Sequence, residues 1–326
     1  MKKKILGLSI TIIFFVFILY KIDLNTVIEI IKNFSPSSLC YIALFYILSL
    51  LFRGLRWKLF LSNDPKYSWF ELSEVFTIGT MFNIFLPMRA GDVYRAYYLG
   101  NTKSEKKLKI FGSVILERLF DGMALFFILL FAVLNYFKTS PIINATVGIA
   151  GLVFFGSFFL AFFLMRTGKL TNIINNIEKK FPNNEKLNFI CKKIRVYTLS
   201  FLEGFNILEH KKASFGAFMY SVLIWILECA VTFLIINSFG TTYPISASLF
   251  VLSLITFSTM IPSTSIFLGP FQAAYILALG IYGAEKELAL AISVVHNAIL
   301  TSIIVIIGIT CLAKYNLLLK KNNTNS

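Results

Sequence analysis

Long apolar blocks alternate along the chain with short, strongly basic interruptions. Six blocks, 5–20, 38–52, 111–137, 142–165, 214–237 and 288–313, approach or exceed the ~20 apolar residues that a helix needs to cross a ~30 Å hydrocarbon layer. Two further apolar stretches are broken: 71–87 stops at Pro87, and 245–282 is interrupted at Pro262 and at Gly269-Pro270. Broken backbone at membrane depth is tolerated only where protein or a water-filled cavity covers it. These stretches therefore predict re-entrant helical hairpins, one in each half. Paired breaks of opposite orientation point to an inverted repeat around a central site. The expected fold is all-α: a polytopic membrane helical bundle of six full spans and two re-entrant hairpins. It forms a single domain over 1–319, with 320–326 as an unstructured tail.

Composition agrees with that pattern. Of 326 residues 57% are hydrophobic and 14% charged, against about a quarter charged in soluble domains. Met1 to Lys4 followed by Ile5 to Tyr20 has the charge and hydropathy of a signal peptide. Lys21-Ile22-Asp23-Leu24 supplies no small-residue cleavage site, so this block is expected to persist as the first helix. Cys40, Cys191, Cys229 and Cys311 show neither metal-ligand nor disulfide spacing.

The net charge of +15 follows from topology. With the N-terminus in the cytoplasm, every one of the 31 Lys and Arg residues falls on the cytoplasmic side except Lys21, Lys32, Lys138, Lys286 and the intramembrane Arg118. This count places 53–70 and 88–110 among the cytoplasmic segments. It predicts a multi-pass inner-membrane protein with both termini cytoplasmic and calls for no nucleic-acid partner. In the longest loop, 166–213, Leu187, Ile190, Ile194, Tyr197, Phe201, Phe205 and Leu208 recur at three and four, with Lys186, Lys192, Lys193 and Arg195 off that stripe. The spacing predicts an amphipathic helix, either on the inner leaflet or as a solvated linker.

Polar residues inside apolar blocks are the candidates for chemistry. Pro87 in Leu86-Pro87-Met88-Arg89-Ala90-Gly91-Asp92-Val93-Tyr94-Arg95 ends one helix and can open another, exposing N–H groups. Arg89 and Arg95 offer guanidinium forks suited to phosphate, and Asp92, three residues from each, can hold both. Ala90 and Gly91 admit a headgroup or another backbone; a plain turn with positive-inside anchoring is the alternative. Glu117 and Asp121 share a face of 111–137, and Arg118 reaches Asp121 at i+3, as part of a site or as an ion network locking helices together. Glu228 is isolated in its span; it is either protonated, with a role in proton coupling, or paired with Arg118 or Arg89. His296 reads first as a packing histidine, and Ser258, Thr259, Ser263, Thr264 and Ser265 either satisfy broken backbone or line a polar path.

These residues carry a resemblance. The run Leu86 to Leu99 resembles the proline–arginine–glycine–acid–arginine motif of the flippase-like, lysylphosphatidylglycerol synthase transmembrane-region family. Val114 to Asp121 is similar to its second motif. Ile261 to Ala274, followed by Ala291 to His296, resembles its third, with Ser265-Ile266 replacing a proline–glycine pair. The resemblance implies translocation of an anionic phospholipid or a polyprenyl-phosphate-linked intermediate. Arg89, Asp92, Arg95, Glu117, Arg118, Asp121, Glu228, Gly269, Gln272 and His296 would then form the substrate site. The aminoacyl-transferase domain of larger members is not expected in a sequence ending at Ser326.

No Walker, GxSxG or metal-binding motif is found, so no catalytic residue, cofactor or metal is expected and the protein is not expected to be an enzyme. The expected partner is a membrane lipid with an anionic headgroup. The alternatives are a headgroup-modifying component, or membrane partner, of a lipid-synthesis enzyme, and a transporter or channel for a non-lipid solute.

Overall fold

A computed structural model describes residues 22–62, 64–86, 89–136, parts of 148–167, 185–259 and 269–324, and every regular element among them is helical. Helix α1 (Leu24–Lys32) is capped by Asp23, whose carboxylate accepts the Asn25 N–H and the Thr26 hydroxyl, each at 2.9 Å. A 3₁₀ turn, Pro36–Ser38, leads into α2 (Leu39–Phe60). Then come α3 (Trp69–Phe85), α4 (Ala90–Thr102), α5 (Lys107–Tyr136) and α6 (Glu185–Leu202). A 3₁₀ segment, Glu203–Glu209, precedes α7 (Lys211–Asn237), α8 (Ile245–Ser258), α9 (Pro270–Gly280) and α10 (Lys286–Thr324).

Among the described residues Pro36–Phe60, Lys211–Asn237 and Lys286–Tyr315 are long and apolar enough to span a membrane. Helix α5, with 30 residues, rises about 45 Å. The expected span 5–20 and most of 142–165 lie outside the described residues. Two boundaries differ from expectation. The block ending at 52 continues as helix to Phe60, so Arg53 and Arg56 enter the bundle instead of a cytoplasmic loop. Helix also continues through 320–324, where an unstructured tail was expected; 325–326 lie outside the described residues.

The distribution of side chains is inverted relative to a soluble protein. Tyr41 and Leu44 on α2, Phe127 and Phe131 on α5, Phe215 and Ile226 on α7, and Ile306 and Ile309 on α10 face outward. Arg56, Glu117 and Arg95, at 0%, 0% and 1% exposure, are among the most buried groups. An apolar exterior around a charged interior is stable where the surrounding solvent is hydrocarbon. The amphipathic stripe divides: Ile190, Ile194 and Tyr197 on α6 stay exposed, while Phe205 and Leu208 turn inward in the 3₁₀ segment and pack with Trp57 and Ile110.

Both broken stretches form helical hairpins, α3–α4 and α8–α9. Pro87 and 260–268 lie outside the described residues. The first hairpin turns tightly. Leu86 is extended, and Arg89 takes left-handed φ 52°, ψ 43° before α4 begins, a conformation that costs about 1–2 kcal/mol for a residue with a Cβ. The Gly91 N–H donates to Asn83 Oδ1 at 2.8 Å, tying the start of α4 to the end of α3. Gly79 and Gly91 let the two helices touch, since a Cβ on Gly91 would overlap the Gly79 carbonyl oxygen. The close approach expected at Gly91 is thus taken by backbone.

The two hairpins do not pack side by side. Helix α3 packs on α2 and α10, and α4 on α5; α8 packs on α5 and α7, and α9 on α10. The hairpins meet where Arg89 Nη2, before α4, donates to Thr259 O at 3.1 Å and to Thr259 Oγ1 at 3.0 Å at the end of α8. Gly91→Ala should lower stability by about 1–3 kcal/mol through overpacking, measured as the unfolding midpoint in detergent. Gly280→Ala, where an added Cβ meets no atom within 4 Å, should leave that midpoint unchanged.

Candidate functional site

Four helices aim polar residues at one place. On α2, Ser49, Arg53 and Arg56 fall at i, i+4 and i+7. On α5, Ser113, Glu117 and Asp121 fall at i, i+4 and i+8. On α7, Ser221, Trp225, Glu228 and Thr232 follow the same period. Helix α4 adds Asp92 and Arg95, one turn apart, just after the hairpin tip.

Their contacts form one continuous network. Arg56 straddles Asp121, with Nη1 to Oδ1 at 2.5 Å and Nη2 to Oδ2 at 3.2 Å; it also donates to Ser221 Oγ at 2.7 Å and lies 3.4 Å from Glu117. The Trp225 indole donates to Asp121 at 3.0 Å. Arg53 donates to Glu228 at 3.1 Å, and the Ser49 hydroxyl holds the same carboxylate oxygen at 2.8 Å. Arg95 donates to Glu117 at 2.8 Å, with its guanidinium carbon 4.1 Å from the Trp57 ring centroid and 4.5 Å from that of Phe76. Arg118 Nη2 reaches both oxygens of Asp92 at 3.1 Å, and Asn83 Nδ2 donates to Asp92 Oδ1 at 3.1 Å. Every carboxylate in the network faces a guanidinium, which is the condition for keeping such charges out of water.

Beside the network lies a cavity of about 210 Å³. Arg53, Arg89, Arg118, Asp121, Glu228 and His296 supply its ionisable lining, Asn83, Thr80, Thr256 and Thr259 its neutral polar lining, and residues such as Phe76, Leu125, Leu252 and Phe271 its apolar wall. Two arginines face it incompletely satisfied. Arg118 has a buried Nε without a hydrogen-bond partner. Arg89 holds only Thr259, and among the described residues no carboxylate lies within ion-pair distance of it. Among the described residues no group of three or more His, Cys, Asp or Glu is placed to hold a metal ion.

The candidates from sequence separate into two sets. Arg89, Arg118, Asp121, Glu228 and His296 line the cavity. Asp92, Arg95, Glu117, Gly269 and Gln272 do not. Asp92 joins Arg118, and Arg95 at 3.7 Å, rather than Arg89. Asp121 pairs with Arg56 rather than with Arg118, and Glu228 pairs with Arg53 rather than with Arg118 or Arg89. Gln272 Oε1 accepts the Gly269 N–H at 2.7 Å, which caps α9 where Gly269 takes φ 96°. His296 lines the cavity while its Nδ1 shares a hydrogen bond with the Tyr275 hydroxyl. Arg53 and Arg56 were assigned by sequence to a cytoplasmic segment; their signal was the helical spacing from Ser49.

Comparison with known proteins gives the same class. A model of the family described as the lysylphosphatidylglycerol synthase TM region matches residues 4–308. A UPF0104 membrane protein of Methanocaldococcus jannaschii is 28% identical over 200 residues, which cover 58% of this chain and 55% of that relative's length. The matched stretch thus spans little more than half of the relative. No solved structure matches.

The network predicts unequal costs of removal. Arg56→Met leaves Asp121 with the Trp225 indole and a 3.9 Å contact to Arg53, removes one of the two guanidiniums at Glu117, and should cost about 3–5 kcal/mol. Arg118→Gln, whose side chain is 28% exposed and serves one carboxylate, should cost about 1 kcal/mol. Unfolding midpoints of the two variants in one detergent measure both.

Proposed function

We propose, from the premise that this chain belongs to the lysylphosphatidylglycerol synthase TM region family, that it carries an anionic phospholipid or polyprenyl-phosphate-linked intermediate between leaflets. Family membership supports a membrane-lipid role in general. The observation that carries the finer reading is that two guanidinium groups, Arg89 and Arg118, line one central cavity, with no carboxylate within ion-pair distance of Arg89 among the described residues. A lipid phosphate is an acceptor that two such forks bind well.

The chain's own residues suit this role in stages. Arg53, held by Glu228 and Asp121, and Arg118, held by Asp92, are fixed in place before any headgroup arrives. Arg89 would be the member that moves, since among the described residues its hydrogen bonds go to Thr259 of the second hairpin. When a phosphate takes the Arg89 donors, the tips lose their link and the cavity can open on the far side. The headgroup crosses through the polar interior while the acyl chains stay in surrounding lipid. No covalent step is needed, so the protein acts as a transporter and not as an enzyme.

We further assign it to the cytoplasmic membrane with both termini inside. The lysine-rich α4–α5 junction and the exposed apolar residues Ile190, Ile194 and Tyr197 of α6 would then sit at the inner leaflet.

Reconstitution into vesicles with a labelled anionic phospholipid tests the reading. Arg89→Gln and Arg118→Gln should each slow headgroup exchange between leaflets at least about tenfold, or about 1.4 kcal/mol in the barrier. Exchange at the unaltered rate by correctly folded variants would overturn it.

A further inference from the structure

Helix α6 exposes only two kinds of side chain between 189 and 199. Six, Phe189, Ile190, Ile194, Val196, Tyr197 and Leu199, are large and apolar or aromatic. The other two are Lys192 and Lys193. No acidic residue lies between 189 and 202. Water is a poor solvent for such a surface, because a contiguous apolar patch on a solvated helix invites association. Bare hydrocarbon is no better, because two ammonium groups would enter it without partners. The helices that span show the contrast: Phe215, Met219 and Ile226 of α7 are exposed with no charged residue between them. A membrane–water boundary satisfies both kinds of side chain at once.

Charge decides which boundary fits. Lys193 Nζ lies 5.9 Å from the Tyr197 ring centroid, so cation and aromatic ring share a face. The basic character continues beyond α6. The 3₁₀ segment that follows it packs on α5 and α7, and the first turns of those helices expose Lys107, Lys211 and Lys212. Lys107 Nζ lies 4.0 Å from the ring centroid of the exposed Tyr97, which repeats the pairing of ammonium and ring. Against these stand Glu203, which Lys106 binds at 2.6 Å, and Glu209. The surface is also fixed to the body of the protein. A Cβ on Gly112 of α5 would lie 2.2 Å from the Phe201 carbonyl oxygen, and one on Gly204 would lie 2.3 Å from that of Lys109. Backbone therefore rests on backbone where α6 and the 3₁₀ segment meet α5, the helix that carries Glu117, Arg118 and Asp121.

We propose that α6, with the lysines that begin α5 and α7, is a docking surface for anionic membrane lipid, separate from the central cavity. Its apolar side chains enter the acyl region and its lysines stay among negative headgroups. The leaflet assignment made above asks only for apolar contact; this surface adds a requirement for negative charge in the leaflet. The requirement holds whatever the cavity carries, and it involves no buried ionisable group. Two sets of substitutions separate the contributions. Lys192→Gln with Lys193→Gln removes the exposed cations of α6 and keeps the apolar stripe. Ile194→Ser with Tyr197→Ser does the reverse. All four side chains are exposed, so both double variants retain the fold.

The experiment is backbone hydrogen exchange over 189–202, read by mass spectrometry on the purified full chain in nanodiscs. One set of discs holds phosphatidylcholine alone, and the other holds phosphatidylcholine mixed with phosphatidylglycerol. The anionic discs should slow exchange at least about fivefold relative to the neutral ones, and added salt should remove the difference. The lysine variant should lose most of that difference. The Ile194 and Tyr197 variant should exchange faster than the native chain in the anionic discs. Equal exchange of the native chain in the two sets of discs, or slowing that survives undiminished in the lysine variant, overturns the proposal. Protection that follows the number of chains per disc instead of lipid charge assigns the face to a second copy of the chain, and overturns it as well.

Discussion

Arg56 and Asp121 face each other with no access to solvent from Arg56, and the rest of the interior is arranged around that pair. Moving a guanidinium out of water is costly, and here the facing carboxylates offset the cost, although Arg56 Nε, Arg95 Nε and Glu117 Oε1 make no hydrogen bond. The need for such partners explains why α2, α4, α5 and α7 each present polar residues on one face and apolar residues to the outside. Glu117 bridges Arg56 to Arg95, and Arg53 bridges Asp121 to Glu228, so the helices are linked through shared carboxylates as well as through packing. Such links couple α2, α4, α5 and α7, so the first hairpin is itself tied to the rest of the bundle through Asp92 and Arg95 of α4.

Both hairpins contribute residues to the cavity. Each is a pair of helices, and the two are joined through Arg89 and Thr259. Around that contact the frame supplies fixed charges and an apolar wall, and the tip supplies one guanidinium that can change partners. In the translocation proposed above, the residue that binds the ligand would also alter the barrier between the two sides.

Much of this was legible in the sequence, for definable reasons. The helical bundle follows from block length and hydropathy, and the hairpins from breaks at Pro87 and Gly269-Pro270 within apolar stretches. Arg118, Asp121 and Glu228 stood out because a charge inside an apolar block is costly unless a partner or a polar cavity receives it. Arg53 and Arg56 did not, because they follow an apolar block directly and there look like cytoplasmic anchors; only their helical spacing from Ser49 distinguishes them. The partners were the least legible part. Asp92 is equally spaced from Arg89 and Arg95, yet its shortest ion pair is with Arg118 from the next helix. Gly269 and Gln272 belonged to a motif, but the local bond between them completes a helix cap and leaves neither on the cavity wall.

The most direct test is native mass spectrometry of the purified protein with the lipid it retains. One anionic lipid per chain should survive detergent exchange, and Arg118→Gln should lose it while neutral annular lipid is unaffected. Retention of no lipid, or of the same lipid by the native and Arg118→Gln proteins, would contradict a central anion site.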